Sequence, residues 1–247
     1  VFASLIGTTP TAAQEIGAQR WAFETGDTIS SSPTIADGIV FAGSYDGNLY
    51  AVNADTGEEQ WRFNAGEFVG SSPTVAGGRV FVGSQSGNLY AVDIETGNPR
   101  WVFETGDWIH SSPTAVDGTV YAGSWDNNLY AVTANSGDKR WEFSTNGDVS
   151  SPAVDDDTVF VGSADSTLYA VNAETGRQRW TFQTGDAIES SPAVADDTVF
   201  VGTGGNTLYA VDAESGSQRW SFEADARILS SPTVAGDMVF IGSDNGI

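Results

Sequence analysis

The chain has 247 residues, with 10 Lys and Arg against 33 Asp and Glu, for a formal net charge of -23. That balance excludes a basic groove for nucleic acid and an electrostatic hold on an anionic membrane. The absence of Cys excludes disulfides, thiolate metal sites and Cys nucleophiles, and a lone His, His110, excludes any repeated His-based site. No apolar run of about 18 residues exists, so no membrane-spanning helix is predicted.

Residues 1–13 run from an apolar stretch into Thr11-Ala12-Ala13. We read them as the remnant of an export signal with a small-residue cleavage site. The alternative is a degraded hairpin, because Gly17 and Trp21 keep the spacing of the units that follow. From residue 14 to 247 the chain reads as a single repeat domain. Trp recurs at positions 21, 61, 101, 141, 180 and 220, at intervals of 40, 40, 40, 39 and 40. Pro33, Pro73, Pro113, Pro152, Pro192 and Pro232 keep the same period, each after Ser. Leu-Tyr-Ala-Val recurs from Leu49, Leu89, Leu129, Leu168 and Leu208.

Each unit predicts four short strands. The first, A, follows Ser-Pro. Asp37-Gly38 then separates two apolar runs, which is a strong hairpin signal because a type I′ turn needs positive φ at both central residues. Strand B is Ile39 to Ala42, strand C is Asn48 to Val52, and strand D contains Gln60-Trp61-Arg62-Phe63 with its period-two alternation. Blades are expected over 31–64, 71–104, 111–144, 150–183 and 190–223, with a partial sixth from 230. The fold class is all-β: a β-propeller of about six four-stranded antiparallel blades, five of them complete. Since both ends fall inside a repeated feature, the chain is read as a fragment of a seven- or eight-bladed ring; the alternative is a six-bladed ring closed by the strand around Trp21.

Within each unit an eleven-residue stretch has Ala first, Gly seventh and Trp eleventh, as in Ala51, Gly57 and Trp61. The spacing repeats with Gly97 and Trp101, Gly137 and Trp141, Gly176 and Trp180, and Gly216 and Trp220. It resembles the tryptophan-docking motif of the pyrroloquinoline-quinone-like (PQQ-like) repeat propellers. The resemblance implies that these Trp, and Trp21, pack between blades against small residues, a structural role. It also implies two functional branches. Quinoprotein dehydrogenases of the family hold PQQ and a calcium ion, using a vicinal Cys pair and blade-specific Glu, Asn and Asp ligands. Non-enzymatic members act as scaffolds, such as the lipoprotein of the outer-membrane β-barrel assembly machinery. This chain has no Cys, and its blades are nearly uniform and free of insertions, so the enzymatic residues find no matching positions.

Most carboxylates cluster in turns, among them Asp155-Asp156-Asp157 and Asp196-Asp197, without calcium-loop spacing. They read as a solvated acidic surface, suited to high salt and a halophilic, archaeal source. The informative positions are those where the repeats disagree. In an antiparallel meander the B–C turns and D–A connections share one end, and there Trp108 and Trp125 stand outside the docking register, with His110 between them. Residues just before strand A are expected nearest the axis. The candidate binding face is therefore Tyr45, Phe68, Trp108, His110, Trp125, Asp126, Glu189 and Arg227. The Trp would supply flat apolar contact, and His110 and Asp126 directional hydrogen bonds. No catalytic or metal-ligating set is expected, and no cofactor, with PQQ and calcium belonging to the alternative. The reading is an exported, extracellular or cell-surface, monomeric, non-catalytic propeller that binds an unidentified protein or small ligand. A PQQ-dependent dehydrogenase or its remnant is one alternative; a sensor or adhesion domain of a larger surface protein is another.

Overall fold

The computed structural model describes residues 18–245. The export-signal or hairpin question at residues 1–13 and the seat at Gly17 lie outside the described residues. Blade 1 consists of β1 (Thr34–Ala36), β2 (Ile39–Gly43), β3 (Asn48–Asn53) and β4 (Glu59–Asn64). Blade 2 is β5 (Thr74–Ala76), β6 (Arg79–Gly83), β7 (Asn88–Asp93) and β8 (Pro99–Glu104). Blade 3 is β9 (Thr114–Val116), β10 (Thr119–Gly123), β11 (Asn128–Thr133) and β12 (Lys139–Ser144). Blade 4 is β13 (Ala153–Asp155), β14 (Thr158–Gly162), β15 (Thr167–Asn172) and β16 (Gln178–Gln183). Blade 5 is β17 (Ala193–Ala195), β18 (Thr198–Gly202), β19 (Thr207–Asp212) and β20 (Gln218–Glu223), and β21 (Thr233–Ala235) with β22 (Met238–Phe240) begins a sixth. Every sheet is an antiparallel meander in sequence order. The A strands neighbour one another from β1 through β5, β9, β13 and β17 to β21, so they form the inner wall. Among the described residues the sheets make an open arc and do not close into a ring.

Local chemistry explains the strands. The A–B turns hold two residues at positive φ, as at Asp37 (50°) and Gly38 (76°) or Asp117 (47°) and Gly118 (72°). Strand C carries the core: Leu49, Ala51, Leu89, Ala91, Leu129 and Ala131 are fully buried. Strand D contains a bulge in every complete blade that the alternation did not foretell. Ala51 pairs with Trp61 but Val52 pairs with Glu59, which leaves one extra residue on D.

Adjacent blades meet through indoles. The Trp21, Trp61, Trp101, Trp141 and Trp180 rings lie over Gly57, Gly97, Gly137, Gly176 and Gly216 of the following blade. A Cβ on Gly97 would stand 2.7 Å from the Trp61 ring, and φ there is 70°, so the seat favours glycine twice over. The five indole Nε1–H groups donate to the carbonyls of Ala54, Ile94, Ala134, Ala173 and Ala213 at 2.9–3.0 Å. Trp220 is 43% exposed, and among the described residues no glycine lies beneath it.

Candidate functional site

The loop end is built on a backbone frame common to all units. Between strand D and strand A, the residues Val69, Ile109, Val149, Ile188 and Ile228 turn inward and are buried against Gly43, Gly83, Gly123, Gly162 and Gly202. Next to them Ser31, Ser71, Ser111 and Ser190 use one hydroxyl twice. It accepts the strand-B Gly N–H (Gly43, Gly83, Gly123 and Gly202) and donates to that glycine's carbonyl. Neighbouring blades are joined by backbone N–H groups of Ser32, Ser72 and Ser112, which donate to the Oγ of Ser72, Ser112 and Ser151. Thr34, Thr74 and Thr114 add a second row, their Oγ1 donating to the carbonyls of Pro73, Pro113 and Pro152.

Onto this frame each unit places two side chains side by side. The first B–C turn residue donates its N–H to the carbonyl of a D–A residue: Tyr45 to Thr28, Gln85 to Phe68, Trp125 to Trp108, Ala164 to Asp148, Gly204 to Ala187 and Asp244 to Arg227. The side chains at these paired positions differ in every unit. In the third pair, Trp108 stacks on Trp125 with centroids 5.0 Å apart, and His110 stacks on Trp125 at 5.8 Å. Phe68 stacks on Tyr45 at 5.1 Å. Gly70 bridges the two groups, since a Cβ there would meet both His110 and Tyr45. The result is an aromatic band across blades 1 to 3 in which Phe68, Trp108 and Trp125 are 41%, 39% and 38% exposed.

Beside the band lies a cavity of about 400 Å³, lined in part by His110, Trp125, Asp148, Ser150, Glu189 and Leu229. Three departures from the repeat leave it open. Trp101 to Pro113 spans twelve positions, but Trp141 to Pro152 spans eleven. The missing residue is the one filled by Ser30, Gly70, His110, Glu189 and Leu229 elsewhere. Ala164 then stands where blade 3 has Trp125, and Ala187 with Gly204 supplies almost no side chain in the next pair. The polar ladder weakens at the same place. Ala153 and Ala193 replace the Thr of the second row, and among the described residues no bond from Ser151 to Ser191 continues the first. The signal for all this in the sequence is the single 39-residue interval, from Trp141 to Trp180, which does not by itself say where the residue is lost.

Tyr45, Phe68, Trp108, His110, Trp125 and Glu189 thus share one end, with His110, Trp125 and Glu189 at the cavity itself. Two expectations need correction. Asp126 is not a free hydrogen-bonding group: its carboxylate accepts the Gly106 N–H at 2.7 Å, the Asn128 N–H at 3.0 Å and the Tyr130 hydroxyl at 2.7 Å. Asp46 and Asp165 do the same work with Tyr50 and Tyr169, so these three are turn clamps. Burial opposes ionisation of Asp46 and Asp165, but the donated hydrogen bonds outweigh it and hold both below the ordinary carboxylate range. Arg227 does not reach the cavity, because its guanidinium pairs with Asp244 at 2.8 Å. Asp148, which sequence reasoning did not select, does line it. Burial, and then the negative charge of Asp107, push its carboxyl upward.

A sequence profile for the family described as "Beta-alanine-activating enzyme, beta-propeller" matches residues 52–247. The chain belongs to that propeller family. No curated protein matches the chain in sequence. BamB from Moraxella catarrhalis superposes with a TM-score of 0.77 at 23% identity, over 87% of this chain and 67% of that one. The computationally designed Ika8 protein gives 0.81 at 17% identity, over 91% and 71%. Quinohemoprotein alcohol dehydrogenase ADHIIG from Pseudomonas putida HK5 gives 0.71 at 18% identity, over 81% of this chain and 42% of the enzyme. These likenesses establish the PQQ-like propeller fold, and the chain spans less than half of that dehydrogenase. Among the described residues there is no helix long and apolar enough to cross a membrane.

Proposed function

We propose that this propeller is a non-catalytic binding module, exported to the cell surface, that holds its ligand at the D–A and B–C end. The carrying observation is the coincidence there of the exposed Trp108–Trp125 stack with the cavity flanked by His110 and Glu189. A concave site with aromatic walls and a few polar groups is the usual form of a recognition surface. The fold likeness to BamB fits a scaffold role, and the likeness to the dehydrogenase keeps the enzymatic reading open to test. The cavity's chemistry does not suit the quinone. PQQ is a tricarboxylate, whereas the lining offers Asp148 and Glu189 and no Lys or Arg. Like charges brought into one cavity would oppose binding. Among the described residues no group of three or more His, Cys, Asp and Glu is placed to hold a metal ion.

Thermal unfolding of the wild type and of a Trp108→Ala, Trp125→Ala double variant tests the reading against a panel of small amines, carboxylates, sugars and short peptides. Support is a rise in midpoint that the folded double variant lacks. A ligand that protects both proteins equally would move the site to the acidic end, and dye-linked alcohol oxidation after loading with PQQ and calcium would establish the dehydrogenase reading instead.

A further inference from the structure

The cavity has a sharper chemistry than a general recognition surface. Its charged lining is anionic, from Asp148 of one unit and Glu189 of the next. Among the described residues neither forms an ion pair, and the ion pairs of the chain's cations all lie elsewhere. Arg227, the Arg of the next D–A loop among the described residues, is held by Asp244. Asp107 stands close enough for its charge to act on Asp148, and among the described residues no ion pair offsets either lining carboxylate. The aromatic wall, Trp125 backed by Trp108, presents an indole, the aromatic surface that attracts cations best. Ser150 and Ser151 also line the cavity; each hydroxyl already accepts one backbone N–H, from Gly162 and Ser112, and keeps one further acceptor lone pair. Carboxylates, an indole and hydroxyl acceptors around about 400 Å³ make a receptor for a group that is positive, flat or compact, and rich in donors.

We propose that the cavity between His110 and Glu189 binds an organic cation, an alkylammonium or guanidinium group. This rests on the binding-module reading and names the ligand class of that site. The cation arrives either as a free small amine or as a Lys or Arg side chain of a polypeptide. Asp148, on the shortened loop, and Glu189, on the D–A loop of the next unit, supply the charge partners. Trp125, stacked with Trp108 and His110, borders the cavity and supplies its aromatic edge. Neutral or anionic ligands of the same size gain none of the electrostatic part and must displace water from the carboxylates, so they are rejected.

Calorimetric titration tests this at the lowest salt at which the wild type is folded. Three probes are used: agmatine, the peptide Gly-Gly-Arg-Gly-Gly amide, and the same peptide with uncharged citrulline in place of Arg. Agmatine, the Arg peptide or both are expected to bind, with the citrulline peptide weaker by at least about tenfold, a difference of about 1.4 kcal/mol. Agmatine equal to the Arg peptide identifies a free amine as the source; a clear preference for the peptide identifies a side chain. Asp148→Asn with Glu189→Gln is expected to weaken the cation at least about tenfold while the thermal midpoint holds. Equal binding of Arg and citrulline peptides, or an unchanged affinity in that folded variant, overturns the cation assignment. A neutral panel ligand that needs Trp125, alongside silence from both cations, overturns it and leaves the binding module standing. Silence from every panel member and both cations overturns both.

Discussion

Trp141 is 9% exposed, its ring lies over Gly176, and its Nε1–H donates to the Ala173 carbonyl at 2.9 Å. Trp108 is 39% exposed and rests mainly on Trp125. Trp141→Ala is therefore expected to cost about 3–5 kcal/mol, as large buried aromatics do. Trp108→Ala should lose about 0.5–1.5 kcal/mol, the scale of one aromatic pair. Denaturant unfolding of the two variants checks this, and equal losses would mean that burial does not separate the two sets of indoles. A second test concerns the clamps. Burial first, then the hydrogen bond to Asp165, raise the Tyr169 phenol from 10.0 to about 12. The native state then keeps a proton that the unfolded chain releases. This contribution is whole below pH 10 and is lost as pH rises towards 12. The partner carboxylate works at the other limit: with its folded pKa depressed, Asp165 contributes its full stabilisation above the ordinary 3.8 and loses it progressively as pH falls from there through the depressed folded value. Tyrosinate absorbance should show a late-titrating component that moves part-way back in Asp165→Asn; no movement would leave burial as the sole cause.

At the scale of strands and loops, much of the architecture was legible because the repeat states it many times. Asp37-Gly38 and its equivalents marked the A–B turns through a φ requirement, and Leu-Tyr-Ala-Val marked the buried strand. The bulge on strand D was not legible, since the residue between Glu59 and Trp61 carries no glycine or other turn signal. The aromatic band was legible because Trp108 and Trp125 break register. Asp126 was misread because its partner, Tyr130, lies four residues on, inside a strand already assigned to the core; the same spacing at Asp46–Tyr50 and Asp165–Tyr169 was the available clue. Arg227 was misread because its counter-charge, Asp244, is remote in sequence. The cavity depends on a residue that is missing, which no inspection of side chains can reveal. Restoring it makes a direct test. One Gly inserted between Val149 and Ser150 returns the Trp141–Pro spacing to that of the other blades. The insertion is expected to leave the circular dichroism spectrum intact and to lower the affinity for whichever cationic probe binds at least about tenfold. Undiminished affinity in the folded insertion variant would show that the shortened loop does not form the site.

Across the whole molecule the dominant quantity is charge. A net charge of -23 on 247 residues makes the compact state repel itself. Few surface ion pairs offset it, and exposed pairs contribute little. Raising ionic strength shortens the reach of that repulsion from about 10 Å at 0.1 M to about 3 Å at 1 M. The thermal midpoint is expected to climb from dilute buffer to molar salt, and a flat or falling curve would remove the argument for a high-salt habitat. The same screening should weaken cation binding, so stability and affinity are expected to move in opposite directions as salt rises.

The pairing of each B–C turn with its D–A neighbour uses only a main-chain N–H and a main-chain carbonyl. The hydrogen bond is indifferent to what either residue carries, and six different pairs occupy it, from Ala187 with Gly204 to Trp108 with Trp125. The face is accordingly a row of interchangeable type set in a fixed forme. Each letter can be recast without disturbing the indole seats or the serine ladder that hold the line together. A lineage carrying this frame can alter what it grips by single substitutions that folding hardly registers. Blade 4 keeps its letters, Asp148 and Ala164, but lacks the spacer that follows them in every other unit, and a printed surface becomes a socket.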